Sequence, residues 1–572
     1  MGDRGQDLGR RRATWAVAGI LGVHAAMLGW IAYWNSPVCD EVGHLTAGLH
    51  QWTTGRFYLY RVNPPLVKLV AALPAALGNP KTNWQRVSDG GTNRPEFEVG
   101  MDFIRANGLD AFWYFNAGRM LCLPFTVLGG WMCFLWARRL FGPPSGVAAC
   151  TLWSLCPTVL GWGSTFTPDA AAASLGLAAG YVFWHWLDRP TWLAACSAGI
   201  VLGLAELTKT TWIVLFPLWP LLWAVARLRE RRLLAAAPSE GVKLFVLLAL
   251  AVYTLNIGYG FEGTGTPLGR YEFVSNMLTG KDRIGAVGNR YRETFLATIP
   301  IPLPANYVRG IDLQKVDFER GMESYLLGEW SDRGWWYYYF VACFVKVPLG
   351  TQLLAVFGAV LFVRRSQTVS ARRGLLILIA QGMVVFVLVS SQTGFSRYVR
   401  YLLPALPTAF VVASIMFSPF ARPVWRRAGL ACLIWSAASS LSVYPHEMSY
   451  FNEAAGGPLH GHRFLLDANV DWGQDLFRLK AWLAAHPQAR PVRVIHTGFV
   501  SPTDIGIQSD WPLKKHELHR DADGSFDDRP PAGWYVASVH EIYQRHGHYR
   551  YLLREHRIGR IGYSMWIFHV SK

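Results

Sequence analysis

Long apolar segments separated by short basic connections constrain this chain more than any other feature of its sequence. A hydrocarbon core about 30 Å thick requires roughly 20 apolar residues for each helix that spans it. Eleven segments qualify, near residues 14–33, 117–137, 144–161, 170–187, 191–207, 211–227, 243–260, 347–363, 374–391, 399–418 and 428–444. The sequence therefore predicts a polytopic α-helical membrane protein with about eleven transmembrane helices.

Composition and charge agree with a membrane protein. Of the 572 residues, 52% are apolar and only 16% are charged, whereas soluble domains have about 25% charged residues. A net charge of +17 would suggest a nucleic-acid partner in a soluble protein. Here many of the basic residues lie in the short connections between apolar segments, so we predict membrane lipids as partners and no nucleic acid.

The basic residues also predict an orientation. The short connections that carry them contain Arg10-Arg11-Arg12, Arg138-Arg139, Asp188-Arg189, the run RLRERR at 227–232, Arg364-Arg365 with Arg372-Arg373, and Arg422 with Arg426-Arg427. With the N-terminus in the cytoplasm, all of them lie on the cytoplasmic side, as the positive-inside rule requires. The segments 34–116 and 261–346 and the tail from 445 then lie outside.

The tail predicts a separate module. PVRVIHTGFV, GWYVASVHEIY and IGYSMWIFHV have the pattern of strands, and LFRLKAWLAAH that of an amphipathic helix. We therefore predict a transmembrane domain over 1–444 and a small extracytoplasmic α/β domain over 445–572. In the outer loops, 63–78 and 333–348 predict helices at the membrane surface.

Carboxylates at the mouths of the spans are candidate functional groups, because ionisable residues there are costly. Asp40, Glu41 and His44 follow the first span in CDEVGH, and helical spacing would put Asp40 and His44 on one face. The pair of carboxylates suits a general base, a metal ligand or a solvated loop start. Asp169, in GSTFTPDA, equally suits the first turn of a helix.

Three cations lie on the side that the charge rule depletes of basic residues. These are Lys209 in TKTT, and Arg397 and Arg400 in SRYVRYLLP, which Tyr398 and Tyr401 flank. The arginines suit either snorkelling anchors or a site for a lipid phosphate, which guanidinium binds in a bidentate manner. Their spacing predicts one helical face at the start of the tenth span, and Lys68 and Lys346 are the next phosphate candidates.

The order of these motifs resembles a known family. DE followed by His, GRFYLYRVNPPL at 55–66, the PD turn, TK, YLLGE with GWWYY, and RYVRYLLP are similar to the GT-C superfamily of polyprenyl-phosphate-dependent glycosyltransferases. Within it, the resemblance is to the family that includes protein O-mannosyltransferases and the lipid A aminoarabinose transferase, over roughly residues 14–420. The tail motifs YFNEAAGG and DANVDWGQDL (450–476) look like those of uncharacterised bacterial members.

The resemblance implies an activity and a location. The expected reaction is inverting transfer of a sugar from a polyprenyl phosphate, such as undecaprenyl phosphate, to a hydroxyl of a lipid, glycan or protein. It would occur at the outer face of the bacterial cytoplasmic membrane, in a multi-pass protein of the cell envelope. A transporter or flippase is the alternative, but such proteins usually show internal repeats and midplane charges, which this sequence lacks. A catalytically inactive binding or scaffold protein is a third reading, and the intact Asp40 and Arg400 argue against it.

The resemblance also implies roles for individual residues. Asp40 matches the catalytic base, Glu41 a supporting carboxylate and Asp169 the second acidic position. Substrate-binding candidates are His44, Asn63, Lys68, Lys209, Glu329, Lys346, Arg397, Tyr398, Arg400 and Tyr401. Asn63 departs from the aminoarabinose enzyme, which has a basic residue before its PPL. A divalent metal is left open, with His44, Asp40, Glu329 and Asp332 as its candidate ligands.

One polar motif of the tail has two interpretations. Asp467, Asp471, Trp472, Gln474 and Asp475 suit carbohydrate recognition, or a turn and helix cap before the helix near Leu476. We favour the turn and cap, because nothing in the sequence links this segment to the membrane mouth.

Overall fold

The computed structural model describes residues 2–89, 92–363, 368–510 and 530–571. The predicted inner pair Arg364-Arg365 lies outside these ranges. The described helices are α1 Gly2–Trp34, α2 Cys39–Thr54, α3 Leu66–Gly78, α4 Glu96–Asn107, α5 Ala111–Phe141, α6 Pro143–Ser154, α7 Pro157–Gly163, α8 Pro168–Asp188, α9 Trp192–Glu206, α10 Leu215–Arg229, α11 Leu233–Gly258, α12 Asn276–Thr279, α13 Ala305–Arg320, α14 Tyr338–Lys346, α15 Leu349–Val363, α16 Val369–Ser391, α17 Leu406–Ala413, α18 Pro423–Leu441, α19 Leu476–Ala485 and α20 Val539–Tyr543. The strands are β1 Ser324–Leu326, β2 Glu329–Ser331, β3 Val492–Ile495, β4 Gly533–Ser538, β5 Arg557–Ile561 and β6 Met565–Val570.

The chain is a multi-pass helical membrane protein, but its helices differ from eleven uniform spans. Within the described ranges, six helical stretches are long and apolar enough to cross a membrane, in α1, α4–α5, α10, α11, α16 and residues 399–417. Two bent pairs, α6–α7 at 58° and α14–α15 at 114°, raise the number to eight if each pair is counted as one span. Pro157 and Pro348 lie at these bends, where proline interrupts helical hydrogen bonding.

The other three predicted spans fall on weaker helices. α9 has only 15 residues, and α8 and α18 are long enough but fall short of the other spans in apolar character. α8 is rich in alanine, and α18 carries Arg426 and Arg427. Helix length and composition thus support fewer spans than the eleven that the apolar segments of the sequence predicted.

The first segment predicted to lie outside, residues 34–116, contains helices that pack closely together. α3 covers the predicted surface helix, and with 13 residues it is too short to span. α2 lies directly against α3, since a Cβ on Gly48 would come 2.1 Å from the carbonyl oxygen of Lys68. This approach fixes α2, which carries Asp40, against α3.

Several predicted inner connections meet at one end of the helices. Arg139 pairs with Asp188 at 2.8 Å, and Arg373 pairs with the same carboxylate at 3.0 Å. Nearby, Arg227 pairs with Glu240 at 2.6 Å and contacts Glu230 at 3.1 Å. These four connections therefore share one end, while the orientation of that end in the membrane stays a prediction.

The tail forms an α/β structure built on a four-stranded sheet of order β3-β4-β6-β5. β3 and β4 are parallel, and β6 is antiparallel to both β4 and β5. Three of these strands and α19 match the predicted pattern, whereas β5, whose sequence RIGRI is mostly exposed, escaped it. The sheet and α19 share a core with the helical part, in which Leu476 and Ile567 belong to the same cluster as Phe115 and Phe166.

Candidate active site

Asp40 and Arg400 form the centre of the site. Asp40 lies in the first turn of α2, and Arg400 lies in a short 3-10 helix, Val399–Ala405, that leads into α17. Arg400 Nη1 contacts Asp40 Oδ2 in an ion pair whose side chains are only 5% and 15% exposed. Electrostatic interactions are stronger in such a poorly hydrated position than at the surface.

Asp169 and Lys209 extend this pair into a cluster of four. Asp169 lies in the first turn of α8, where its Oδ1 accepts a hydrogen bond from Lys209 Nζ at 2.5 Å. Its Oδ2 lies 3.8 Å from Arg400 Nε. The structure thus brings together four predicted site residues from separate parts of the sequence, with two negative and two positive charges. Asp169 also lies in the first turn of a helix, as the alternative interpretation predicted, because that position and the place in the cluster are the same.

An aromatic wall surrounds the Arg400 guanidinium. Its central carbon lies 4.5 Å from the ring centre of Trp162, 4.9 Å from Tyr398, 5.5 Å from Tyr401 and 5.8 Å from Trp472. Cation–π contacts of this kind restrain the guanidinium plane. Neither Nε nor Nη1 makes an aligned hydrogen bond to a described residue. The aromatic rings and the ion pair with Asp40 therefore hold the Arg400 guanidinium in place.

Glu41 points away from this cluster. Its carboxylate forms a bidentate ion pair with Arg119, and both side chains are 0% exposed. The oxygens also accept hydrogen bonds from the backbone N–H groups of Val38 at 3.0 Å and Phe166 at 3.1 Å. Glu41 therefore supports the site by joining the start of α2 to α5, and it has no free face for a substrate.

Arg397 differs from its predicted position. The residue precedes the 3-10 helix, so Arg397 and Arg400 do not share a helical face. Arg397 Nη2 pairs with Asp467 of the tail, while Arg400 pairs with Asp40. The two guanidinium groups instead lie over one ring, Tyr398, at 5.2 and 4.9 Å. The prediction of a shared helical face was wrong because Asp467 of the tail, and not a residue of the same segment, holds the Arg397 side chain.

Lys68 and Lys346, the next candidates for phosphate binding, donate hydrogen bonds to backbone oxygens. Lys68 Nζ donates to the carbonyls of Tyr60 at 2.7 Å and Asn63 at 2.5 Å, and burial lowers the pKa of Lys68 to about 7. Lys346 Nζ donates to the carbonyls of Met448 at 3.0 Å and Asn469 at 2.6 Å. Because both ammonium groups are buried and occupied, we interpret them as structural rather than as phosphate ligands.

The remaining candidate residues do not lie together in one site. His44 stacks on Tyr60 with ring centres 4.5 Å apart, and burial together with Lys68 and Arg400 keeps its pKa well below the usual range. Both ring nitrogens are buried without a partner among the described residues. Glu329, on β2, is exposed, and the neighbouring Asp332 pairs with Arg545 of the tail. Over the described part of the chain, no group of three or more His, Cys, Asp or Glu side chains is arranged to hold a metal.

The tail motif contacts the site directly, although nothing in the sequence alone links it to the membrane mouth. The carbonyl of Trp472 accepts a hydrogen bond from the Cys39 N–H at 3.1 Å, immediately before Asp40. Ser36 Oγ donates to the Gly473 carbonyl at 2.5 Å and accepts from the Leu476 N–H at 3.0 Å. In the sequence, the only sign of this contact was the density of acidic and aromatic residues in the motif. Such a density is also typical of turns.

The interpretation as a turn and cap is correct only in part. Asp471 Oδ1 accepts from the Gly473 N–H at 2.9 Å, as a turn requires. Asp475 precedes α19 without capping it, and pairs instead with Arg478 at 2.8 Å. Burial opposes ionisation, yet Arg478 and His446 bring the pKa of Asp475 down to about 2.

Residues 115–257 match the model of the dolichyl-phosphate-mannose-protein mannosyltransferase family. This match confirms the resemblance to the GT-C superfamily. The matched segment runs from α5 into α11 and contains Arg119, Asp169 and Lys209 of the site. No curated protein matches the chain.

Solved structures similar to the chain include two of ArnT from Cupriavidus metallidurans. The crystal structure bound to undecaprenyl phosphate has 13% sequence identity and a TM-score of 0.46, and the match covers 97% of this chain and 98% of that one. The crystal structure in the apo state has 13% identity and a TM-score of 0.44, with 98% of each chain covered.

Proposed function

We propose that this GT-C protein transfers a sugar from a polyprenyl-phosphate donor to an acceptor hydroxyl, with inversion at the anomeric carbon. The observation that carries the proposal is the cluster of Asp40, Asp169, Lys209 and Arg400. It offers a carboxylate and two cations at one point, as the reaction needs for proton removal and for a departing phosphate. The matched family, named for a dolichyl-phosphate-linked mannose donor, supports the same donor class.

The donor phosphate would bind between Arg400 and Lys209. The four charges of the cluster cancel, so a cation would change partner when the phosphate binds. Arg400 is suited to that exchange, since its Nε and Nη1 make no aligned hydrogen bond within the described structure. Contact with the phosphate would release the Asp40 carboxylate for the acceptor.

The released Asp40 would act as the general base. The acceptor oxygen attacks C1 of the sugar, and the bond from C1 to the phosphate oxygen breaks with its electron pair on that oxygen. The acceptor proton moves to Asp40, and the polyprenyl phosphate leaves with the added negative charge. Arg400 and Lys209 stabilise this charge most strongly as it develops.

Asp169 would act as a positioning residue. It holds Lys209 at 2.5 Å and lies within 3.8 Å of Arg400, so it orients both cations without facing the acceptor. The positive-inside rule supports a site on the outer face of the membrane. We place the reaction at the bacterial cytoplasmic membrane because of the resemblance noted in the sequence. The acceptor is a lipid, glycan or protein hydroxyl.

The test is sugar transfer by membranes that contain the full chain and its native acceptors. Radiolabelled mannose on undecaprenyl phosphate serves as the donor, and labelled product is separated from the lipid donor. Asp40→Asn should lower transfer by about 10² to 10⁴, whereas Asp110→Asn, an exposed change in the same outer segment, should not. Near-normal transfer by Asp40→Asn would remove Asp40 as the base. Movement of intact donor across the membrane without transfer would favour a flippase.

A further inference from the structure

The tail contains a groove remote in sequence from the Asp40 cluster. It has a volume of about 340 Å³ and lies between the 3-10 helix Pro458–Arg463 and the edge of the sheet formed by β5 and β6. None of the four cluster residues lines it. We call it the C-terminal groove.

The floor of the C-terminal groove is aromatic. His462 stacks on Tyr543 with ring centres 4.6 Å apart, and Trp566 meets both rings edge-on, at 5.2 Å from His462 and 6.0 Å from Tyr543. Leu459 and Leu553 on the rim are 38% and 40% exposed. The groove therefore presents a rigid floor and apolar edges to solvent.

Two guanidinium groups converge on this floor without a carboxylate partner. Arg463 and Arg557 line the groove, and neither forms an ion pair with another residue of the described ranges. The guanidinium carbon of Arg557 lies 4.6 Å from the ring centre of Trp566. Stacking holds the planar group in one orientation, which favours bidentate binding of a carboxylate or phosphate.

His462 is a neutral group beside the groove arginines. Burial is the main cause that lowers the pKa of His462 to about 4, and the charges of Arg463, His460 and Arg557 add to it. The imidazole is therefore neutral at physiological pH. Glu555 is the one carboxylate among the lining residues, so the groove combines net positive charge with an acceptor for hydroxyl groups.

We propose that the C-terminal groove binds a saccharide that bears a carboxylate or phosphate group. Arg463 and Arg557 would hold the anionic group, Glu555 would accept sugar hydroxyls, and the leucine rim would contact the apolar edge of the ring. Ligand pockets usually have volumes of about 300–1,000 Å³, so this groove suits one small sugar unit rather than an acyl chain. The proposal does not depend on the reaction assigned to Asp40.

The test is calorimetric titration of the detergent-solubilised full chain. An Arg400→Ala background removes the proposed phosphate contact at the other site. Glucuronate and glucose 6-phosphate are the probes, and glucose and inorganic phosphate are the comparison ligands. Arg557→Gln and Arg463→Gln remove the groove cations one at a time. Arg560→Gln is the matched control, because Arg560 lies on the same strand and stacks on Tyr563 outside the groove.

The proposal predicts saturable binding of at least one anionic sugar. Each groove variant should weaken this binding at least about tenfold, as expected for loss of a charge-assisted contact, and Arg560→Gln should leave it within about twofold. Glucose and phosphate should each bind at least about tenfold more weakly than the anionic sugar. Unchanged affinity in both groove variants, absence of saturable binding, or phosphate binding as tight as that of glucose 6-phosphate would overturn the proposal.

Discussion

Arg119 and Glu41 form a fully buried bidentate ion pair, with Nε to Oε1 at 2.9 Å and Nη2 to Oε2 at 2.5 Å. Arg119 also donates to the carbonyls of Ala32 at 2.7 Å, Asn35 at 2.6 Å and Ser36 at 2.9 Å. The pair therefore fixes the end of α1 and the start of α2, next to Asp40.

Glu41→Gln should destabilise the protein rather than act on the reaction itself. Removing one charge of a buried pair leaves the other uncompensated, which typically costs about 3–5 kcal/mol. Thermal unfolding of the purified chain should show a lower Tm, while Glu98→Gln, an exposed change in α4, should not. A normal Tm combined with loss of transfer would instead give Glu41 a direct part in catalysis.

Arg400→Ala should weaken binding of the carrier phosphate. A charge-assisted hydrogen bond contributes about 1.5–3 kcal/mol, which corresponds to roughly one to two orders of magnitude in Kd. Arg400→Lys should recover only part, because an ammonium lacks the bidentate fork. Equilibrium binding of undecaprenyl phosphate to the chain in nanodiscs measures both, with the exposed Arg105→Ala as control. Equal affinity in all three variants would place the phosphate elsewhere.

Ser36→Ala should loosen the tail from the helical part. The hydroxyl takes part in two hydrogen bonds to the tail, at Gly473 and Leu476, and leaving buried partners unsatisfied costs about 1–3 kcal/mol. Hydrogen exchange should rise at residues 472–476 and around Asp40, with a lower transfer rate. Ser501→Ala, which alters a hydroxyl near the surface of the tail, should leave both regions unchanged. Protection equal to wild type at 472–476 would show that the contact does not hold the tail.

The contribution of Asp471 to the stability of the tail should decrease as pH rises from about 4 to 7. Burial raises the pKa of Asp471 from 3.8 to about 7, although Ser538 opposes this by donating a hydrogen bond. In that interval the folded state holds a proton that the unfolded state has lost, so unfolding becomes easier as pH rises. Asp471→Asn should flatten this part of the Tm-versus-pH curve, whereas the exposed Asp510→Asn should not. Parallel curves for wild type and Asp471→Asn would contradict the assignment.

The sequence located all four residues of the charged cluster because charge at the mouth of a predicted span is conspicuous. Asp40, Asp169, Lys209 and Arg400 each stood out in this way, although only the structure shows that they meet. The pairing of Glu41 had one signal, since Arg119 is a lone charge inside the predicted span 117–137. That signal does not show that the partner of Arg119 is Glu41.

Other contacts cannot be predicted from the sequence pattern. The ammonium groups of Lys68 and Lys346 bind backbone carbonyls, which every residue possesses. Cys39 and Trp472 are 433 positions apart, so no local periodicity connects them. Three of the four strands of the tail sheet were predictable from alternation, but the docking of the tail against α2 depends on a shared core.

The central claim is that a carrier phosphate binds where Arg400 meets Asp40, and a structure of the full chain with undecaprenyl phosphate tests it most directly. We predict the phosphate within hydrogen-bond distance of Arg400 and Lys209, with the Arg400 contact to Asp40 broken or lengthened. A phosphate bound at another position, with the Asp40 and Arg400 ion pair unchanged, would contradict the account.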